Sequence, residues 1–176
     1  ATHMDGARLL NAVVATGISA AEYAEFFDSV WIDLSKGLGA PVGSVLAGSR
    51  EFIDKAQYWK KRLGGAMRQA GIIAAGGIYA LENNIERLKE DHENARYLAE
   101  NICKYPEIEL DLKTVETNIV LFKVKGIRAS DIVEGLLERG IRVSLMGQEL
   151  IRAVTHLDVS REDIGYVIDV LGELLS

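Results

Sequence analysis

Cysteine and proline are scarce in this sequence, which contains one cysteine and two prolines among 176 residues. The single cysteine, Cys103, rules out a disulfide bond within the chain, and its apolar neighbours predict a buried thiol. Low cysteine usage is typical of a reducing compartment, so we expect the protein to be cytoplasmic. No apolar run approaches the ~20 residues of a membrane span, so we expect no membrane partner.

Basic residues are outnumbered, with 20 Lys and Arg against 26 Asp and Glu, and the formal net charge is −6. This balance argues against binding to nucleic acid, whose phosphates require a basic surface. The cluster Lys60-Lys61-Arg62 is typical of a solvated helix face, and the alternative is a contact with an anionic cofactor. The three histidines lack the spacing of zinc ligands, and the sequence contains no Walker-type or dinucleotide-binding glycine motif. We therefore expect no metal site.

The hydrophobic fraction is 48%, which is sufficient for a packed core. Apolar runs and turn signals alternate through the first 63 residues, and Gly17 and a capping box at Ser19 and Glu22 mark helix ends. We expect strands at 1–5, 30–34 and 42–46, and helices at 8–16, 20–27 and 49–63.

The second part of the chain begins with a long helical pattern over 67–104, with a predicted kink at Gly76-Gly77. Its first half is almost uncharged, so we expect it to be enclosed in a large fold or an oligomer. After Pro106 the pattern predicts a small α/β unit. We expect strands at 107–112, 117–124, 141–145 and 151–155, and helices at 130–139 and 161–175, which begin at Ser130 and at a Ser160–Asp163 cap.

Lys36 is the first candidate for a catalytic residue, because it follows the apolar strand 30–34 in a turn that contains Gly37 and Gly39. A lysine acts as a nucleophile only when it is neutral, and the apolar strand is predicted to desolvate it. Such a lysine can form an imine with pyridoxal phosphate. The alternative is an ordinary surface lysine in a loop.

Asp5 ends an earlier strand, where a buried carboxylate is placed to keep the ring nitrogen of pyridoxal phosphate protonated. The alternative role for Asp5 is a helix N-cap. His3, on the same strand, is either a further site residue or a packing residue. The sequence pattern thus predicts a cofactor site that includes Lys36 and Asp5.

Two arginines are candidates for binding the carboxylate of an amino acid substrate, because a guanidinium matches a carboxylate in bidentate fashion. Arg8 follows Asp5, and Arg152 lies within an apolar strand, where a charge requires a partner or a ligand. The alternative for Arg152 is an edge strand that faces water. The candidates for phosphate contacts are Ser35, Lys61 and Arg68; the last is predicted at the start of a helix, or else at an ordinary surface position.

Five segments resemble, in the same order, the low-specificity L-threonine aldolases. They are HMDGARL (3–9), LSKGLGAPVGS (34–44), LGGAMRQAG (63–71), EDHENA (90–95) and RAVTHLDVS (152–160). Five collinear motifs are far more specific than any one of them, and the resemblance runs through essentially the whole chain.

The resemblance implies an α/β fold of the PLP-dependent transferase type (fold type I). The chain would form the back part of the large domain (1–104) and a small C-terminal α/β domain (105–176). In the family, the lysine matching Lys36 carries the cofactor, the aspartate matching Asp5 holds its ring nitrogen, and the arginines matching Arg8 and Arg152 bind the substrate carboxylate. The residues matching Lys61 and Arg68 lie near the cofactor.

The implied activity is that of a PLP-dependent aldolase, a carbon–carbon lyase that cleaves L-threonine, L-allo-threonine or related β-hydroxy-α-amino acids to glycine and an aldehyde. The implied assembly is a homotetramer built as a dimer of dimers. The family's glycine-rich phosphate loop and ring-stacking histidine find no match in this sequence, and Trp31-Ile32-Asp33 replaces the small neutral residues that often precede the lysine. Two alternatives remain: another fold-type-I lyase (β-eliminating or glycine hydroxymethyltransferase-like), or a non-catalytic fragment that lacks the N-terminal phosphate loop.

Overall fold

A three-stranded sheet organises the first half of the chain. Strand β1 (His3–Gly6) runs parallel to β2 (Ser29–Asp33), and β3 (Ser44–Gly48) pairs with β2 in the antiparallel direction. Parallel neighbours require a crossover connection, which helices α1 (Leu9–Thr16) and α2 (Ala20–Ala24) provide. The carboxyl ends of β1 and β2 therefore lie at the same edge of the sheet.

The predicted end of α1 and the predicted start of α2 are confirmed, whereas α2 ends at Ala24 and not at residue 27 as predicted. Gly17 ends α1 in the left-handed conformation, with φ of 73°, and its N–H donates to the carbonyl of Val13. Ser19 caps α2 by accepting a hydrogen bond from the N–H of Glu22, and the Glu22 carboxylate accepts from the N–H of Ser19 at 3.0 Å. A glycine and two polar side chains thus mark the helix ends within this crossover.

The long helix predicted over 67–104 is wrong. The structure has two helices, α4 (Gly71–Asn83) and α5 (Leu88–Ile102), which follow α3 (Arg50–Arg62). The break lies at residues 84–87, where the amide of Asn84 donates to the carbonyl of Leu38 at 2.7 Å.

Gly76 and Gly77 lie inside α4, so they do not kink the chain at the predicted position. A Cβ at Gly76 would approach the ring of Pro41 to 2.8 Å, and one at Gly77 would approach Leu34 to 2.9 Å. These glycines therefore allow close packing.

The expectation that α4 is enclosed on all sides is not met within these 176 residues. Only Gly77 and Ala80 are buried, and Ile72 is 87% exposed. Large apolar side chains of α3, of α4 and of the segment between them are exposed, and we call this set the α3–α4 apolar surface. It comprises Phe52, Tyr58, Trp59, Leu63, Met67, Ile72, Ile78 and Tyr79.

The second half of the chain contains a four-stranded antiparallel sheet with the strand order β4-β5-β7-β6. The four predicted strands and two predicted helices are confirmed in number and order, although several of the strands are shorter than predicted. They are β4 (Ile108–Glu109), β5 (Ile119–Val124), α6 (Ala129–Glu138), β6 (Ser144–Met146), β7 (Leu150–Val154) and α7 (Arg161–Leu174).

Alternate residues of β5 and β7 contribute to the core of this half, together with apolar residues of α5, α6 and α7. Val120, Phe122 and Ile151 are fully enclosed there. The predicted cap of α7 is confirmed, because Ser160 accepts from the N–H of Asp163. The predicted start of α6 at Ser130 is wrong: its N-cap is Arg128, which makes no side-chain cap.

The computed structural model describes residues 1–176 and divides into two units, Ala1–Leu88 and Lys89–Ser176. This division precedes the predicted limit at 104/105, because Ala95, Leu98 and Ile102 of α5 pack in the core of the second unit. None of the helices is both long and apolar enough to span a membrane. The architecture is α/β, with a partly parallel sheet in the first unit and an antiparallel sheet in the second.

Candidate active site

The candidate site in the first unit lies on one face of the β1–β2 pair. His3 pairs in register with Ser29, and its Nδ1 lies 2.8 Å from the Ser29 hydroxyl, so paired side chains share a face. Asp5 pairs with Trp31 two positions further along. Because side chains alternate along a strand, Asp5, Trp31 and Asp33 lie on that face as well. We call it the Asp5 face.

The Lys36 side chain returns towards the Asp5 face. Its Nζ lies 5.3 Å from the centroid of the Trp31 ring and 3.2 Å from Oδ2 of Asp33. The structure thus places the amine of Lys36 on the face that carries Asp5, although its ion-pair partner is Asp33. The side chain is 39% exposed, so β2 does not desolvate it as far as predicted.

Asp33 organises the turn that carries Lys36. Its Oδ1 accepts hydrogen bonds from the backbone N–H groups of Ser35 and Lys36 and from the Ser35 hydroxyl, at 2.6–3.1 Å. Burial acts to raise the pKa of Asp33, but these hydrogen bonds and the Lys36 charge together outweigh burial and hold that pKa below its usual value. Asp33 therefore carries a negative charge at neutral pH.

Asp5 does not cap a helix, so the alternative role predicted for it is wrong. The N-cap of α1 is Arg8, and Asp5 instead accepts a hydrogen bond from the N–H of Ala7 at 3.0 Å. Asp5 is exposed and not buried as predicted. Arg8 is half-buried beside this turn.

The three candidates for phosphate binding are exposed. The Ser35 hydroxyl donates to Asp33 at 2.7 Å, and Lys61 lies in the last turn of α3. Arg68 lies in the loop before α4, so its predicted position at a helix start is wrong. The next residue, Gln69, has φ of 52°, a left-handed conformation that is uncommon for residues other than glycine.

Arg152 lies on β7 of the second unit, between β5 and β6, so the edge-strand alternative is wrong. It pairs in register with Leu121 and Ser144, on the face opposite the buried Ile151 and Ala153. The side chain is half-buried and forms no ion pair with a carboxylate of this chain. Such an arginine has the chemistry to bind an anionic ligand.

Three further titratable residues, His92, His156 and Cys103, are not among the candidates above. His92 is half-buried, and this burial lowers its pKa although the charge of Asp91 acts to raise it. His156 makes a local contact, since its Nδ1 accepts a hydrogen bond from the N–H of Asp158 at 3.3 Å. Cys103 is half-buried and not fully enclosed. The side chains form no group of three or more potential metal ligands.

Sequence reasoning missed Trp31 and Asp33 as contacts of Lys36, and it missed the left-handed Gln69. Strand alternation provides a signal for the first two. Positions 31 and 33 lie on the same face of β2, close to the turn that carries Lys36. Only the observed parallel register connects them to Asp5. The site roles of Lys36, Asp5, Ser35, Arg68, Arg8, Arg152, Lys61 and His3 remain predictions.

Sequence comparison finds close relatives along nearly the whole chain. The low specificity L-threonine aldolase of Escherichia coli K12 is 46% identical over 167 residues, which is 95% of this chain and 49% of that protein. The probable low-specificity L-threonine aldolase 2 of Arabidopsis thaliana is 40% identical over 169 residues, or 94% and 48%. The chain thus spans about half the length of the curated relatives it matches.

Structural comparison places this fold among PLP-dependent enzymes of fold type I. A crystal structure of a putative aromatic amino acid beta-eliminating lyase/threonine aldolase from Exiguobacterium sp. 255-15 matches with a TM-score of 0.78 and 26% identity, over 97% of this chain and 51% of that one. The family model for beta-eliminating lyases matches residues 1–125. The chain therefore belongs to the beta-eliminating lyase family.

Proposed function

We propose that the protein is a PLP-dependent aldolase that cleaves L-threonine, L-allo-threonine or related β-hydroxy-α-amino acids to glycine and an aldehyde. The observation that carries this proposal is the position of the Lys36 amine, 5.3 Å from the ring of Trp31, whose partner on the parallel strand is Asp5. The relatives named as threonine aldolases at 40–46% identity support the reaction class.

The residues on the Asp5 face fit pyridoxal phosphate by their chemistry. They offer an exposed carboxylate on β1, an aromatic ring on the parallel strand β2 and a primary amine from the turn that follows β2. When bound, the cofactor supplies an electron sink for the bond that breaks at the substrate Cα. In the proposal, Lys36 holds the cofactor covalently and Asp5 keeps a proton on its ring nitrogen.

The remaining candidates would orient the cofactor and the substrate. Arg152 has no carboxylate partner in the chain, which supports a role in binding the substrate carboxylate, and Arg8 shares this predicted role. Ser35 and Arg68 would contact the phosphate, with Lys61 as a further candidate, and His3 would be a further residue of the site. Holding the carboxylate fixes which bond at Cα is cleaved, because only a bond perpendicular to the ring is weakened.

A β-eliminating lyase is the second candidate, since the matching family model carries that description. The two reactions release different products from L-threonine and L-serine. An aldolase releases acetaldehyde from threonine, whereas β-elimination releases ammonia from either amino acid. A product assay with both substrates therefore separates the candidates.

Replacement of Lys36 tests the proposal directly. Lys36→Ala should abolish both the visible absorbance of bound cofactor and acetaldehyde formation, because no other residue supplies the attachment amine on this face. Lys55→Ala is the matched control, since Lys55 is an exposed helical lysine that pairs with Glu51. If Lys36→Ala retained threonine cleavage, the assignment of Lys36 would be wrong.

We also propose that the protein is a cytoplasmic homo-oligomer, a dimer of dimers as the family resemblance implies. The α3–α4 apolar surface supports association, because large exposed apolar patches usually mark interaction sites. Light scattering on the purified protein tests this proposal, and a strictly monomeric mass at micromolar concentration would contradict it.

A further inference from the structure

Trp31 is a large aromatic residue that lies outside the hydrophobic core of the first unit. That core includes Leu34 and Leu38, and Ile32 packs against it. Because side chains alternate along β2, Trp31 lies on the opposite side of the sheet from Ile32, on the Asp5 face. It is half-buried there. Core packing therefore does not account for an aromatic side chain of this size at position 31.

The Trp31 side chain is adjacent to both residues that would anchor the cofactor. It pairs in register with Asp5 on the parallel strand, and neighbouring strands lie about 4.7–4.9 Å apart. The centroid of its ring lies 5.3 Å from Nζ of Lys36. One ring on the Asp5 face is thus a neighbour of the carboxylate-bearing residue and of the amine.

The shape of pyridoxal phosphate relates these three residues to one another. Its aldehyde carbon and its ring nitrogen lie at opposite ends of one flat pyridine ring. In the proposed function Lys36 holds the aldehyde carbon and Asp5 holds the ring nitrogen, so the pyridine ring extends from one residue to the other. A side chain that is adjacent to both residues lies alongside that ring.

We infer that Trp31 is a cofactor-contacting residue, whose indole ring packs against the pyridine ring and adds affinity that does not depend on the bond to Lys36. This inference rests on the proposed function, because it takes Lys36 and Asp5 as the two anchors. Aromatic pairs prefer offset-stacked or edge-to-face arrangements with ring centroids about 4.5–7 Å apart, and they contribute beyond the area that they bury.

The residues around Trp31 on the same face offer no comparable surface. On β3 the residue in register with it is Leu46, and on β2 the residues two positions away are Ser29 and Asp33. His3 carries the other ring on this face, and its Nδ1 lies 2.8 Å from the Ser29 hydroxyl. An aromatic contact beside both Asp5 and Lys36 is therefore specific to Trp31.

Binding of pyridoxamine phosphate tests this contact. The compound has an amine in place of the aldehyde, so it forms no bond to Lys36, and its dissociation constant reports the contacts of the ring and phosphate alone. Calorimetric titration of the full chain should give a dissociation constant about 2- to 12-fold larger for Trp31→Ala, the range that aromatic pairs provide. Equal dissociation constants for the two proteins would overturn the inference.

Two further substitutions separate the ring contact from the filling of space. Trp31→Phe keeps an aromatic ring and should retain most of the affinity, whereas Trp31→Leu keeps apolar bulk and should lose as much as Trp31→Ala. Trp59→Ala is the matched control and should leave the dissociation constant unchanged, because the Trp59 ring lies on α3 against Tyr58 and Arg62. Equal weakening by Trp31→Phe and Trp31→Leu, or by Trp59→Ala, would contradict the role of the Trp31 ring.

A spectroscopic arm does not depend on a loss of affinity. The chain has two tryptophans, so a nitrogen–proton correlation spectrum contains two indole N–H signals, which Trp31→Phe and Trp59→Phe assign. Saturation with pyridoxamine phosphate should shift the Trp31 signal and leave the Trp59 signal in place, because the magnetic field of an aromatic ring acts only on close neighbours. An unshifted Trp31 signal at saturation would overturn the inference.

A labelling arm distinguishes failure of this inference from failure of the proposed function. Pyridoxal phosphate is added to the unsubstituted protein, where the Lys36 amine forms a C=N bond to the aldehyde carbon with loss of water, and borohydride then delivers hydride to that carbon. Label on Lys36, together with affinities that the Trp31 variants leave unchanged, would overturn the role of Trp31 alone. Absence of label on Lys36, together with an unshifted Trp31 signal, would overturn both proposals.

Discussion

At the scale of single residues, His92 shows how burial changes a charge. Burial lowers its pKa, and the nearby Asp91 carboxylate offsets only part of that effect. The folded protein therefore binds a proton at His92 less readily than the unfolded chain, whose histidine has a pKa of about 6.5. Between the two pKa values the unfolded chain carries more protons, so stability rises with pH across that window.

We predict that the unsubstituted protein loses more unfolding free energy than His92→Gln when the pH falls from about 7.5 to about 5.5. Urea unfolding at both pH values measures this difference. Asp33 and Asp163 have lowered pKa values, so their contributions are lost at more acidic pH and cancel in the comparison. An equal pH dependence for both proteins would contradict the account of His92.

The site residues were predicted from features that adjacent residues in the sequence show. Lys36, Asp5 and Arg8 stand beside glycine turns at strand ends, which a sequence displays. The pairing of Lys36 with Asp33, and the register that sets Asp5 beside Trp31, depend on backbone geometry. Arg152 illustrates the same limit, because only the strand order shows that β7 is interior.

At the scale of elements, α7 and α6 differ in how they begin. The hydroxyl of Ser160 accepts from the N–H of Asp163 at 3.1 Å, and the Asp163 carboxylate accepts from the N–H of Ser160 at 2.8 Å. Helix α6 has no side-chain cap, and the exposed Ser130 lies within its first turn.

We predict that Ser160→Ala lowers the unfolding free energy by about 0.5–2 kcal/mol, because it removes a capping box. Ser130→Ala is the matched control and should change it by less than about 0.5 kcal/mol. Urea unfolding at neutral pH measures both values. Equal losses in the two variants would show that the α7 cap contributes nothing beyond an exposed serine.

The elements that sequence reasoning placed well have explicit end signals. Gly17, the Ser19–Glu22 pair and the Ser160–Asp163 pair all lie where predicted. The break at residues 84–87 was missed because its determinant is a long-range hydrogen bond from Asn84 to Leu38. A local pattern contains no information about a partner 46 residues away.

At the scale of the whole molecule, the two units and the comparisons agree on fold and family. The chain spans about half the length of its aldolase relatives, with 49% coverage of the Escherichia coli protein. The α3–α4 apolar surface is exposed within these residues, and its enclosure in a larger fold or an oligomer stays a prediction. Composition predicted a packed core, the pattern of apolar runs and turn signals predicted strands and helices, and five collinear motifs predicted the family.

The central claim is that the ε-amine of Lys36 is the attachment point for pyridoxal phosphate. The most direct measurement is a peptide mass map after incubation with pyridoxal phosphate at neutral pH and reduction with borohydride. The account predicts that the phosphopyridoxyl group lies on the peptide that contains Lys36 and is absent from the Lys36→Arg variant. A label that lies on other lysines, or that is unchanged in Lys36→Arg, would contradict the account.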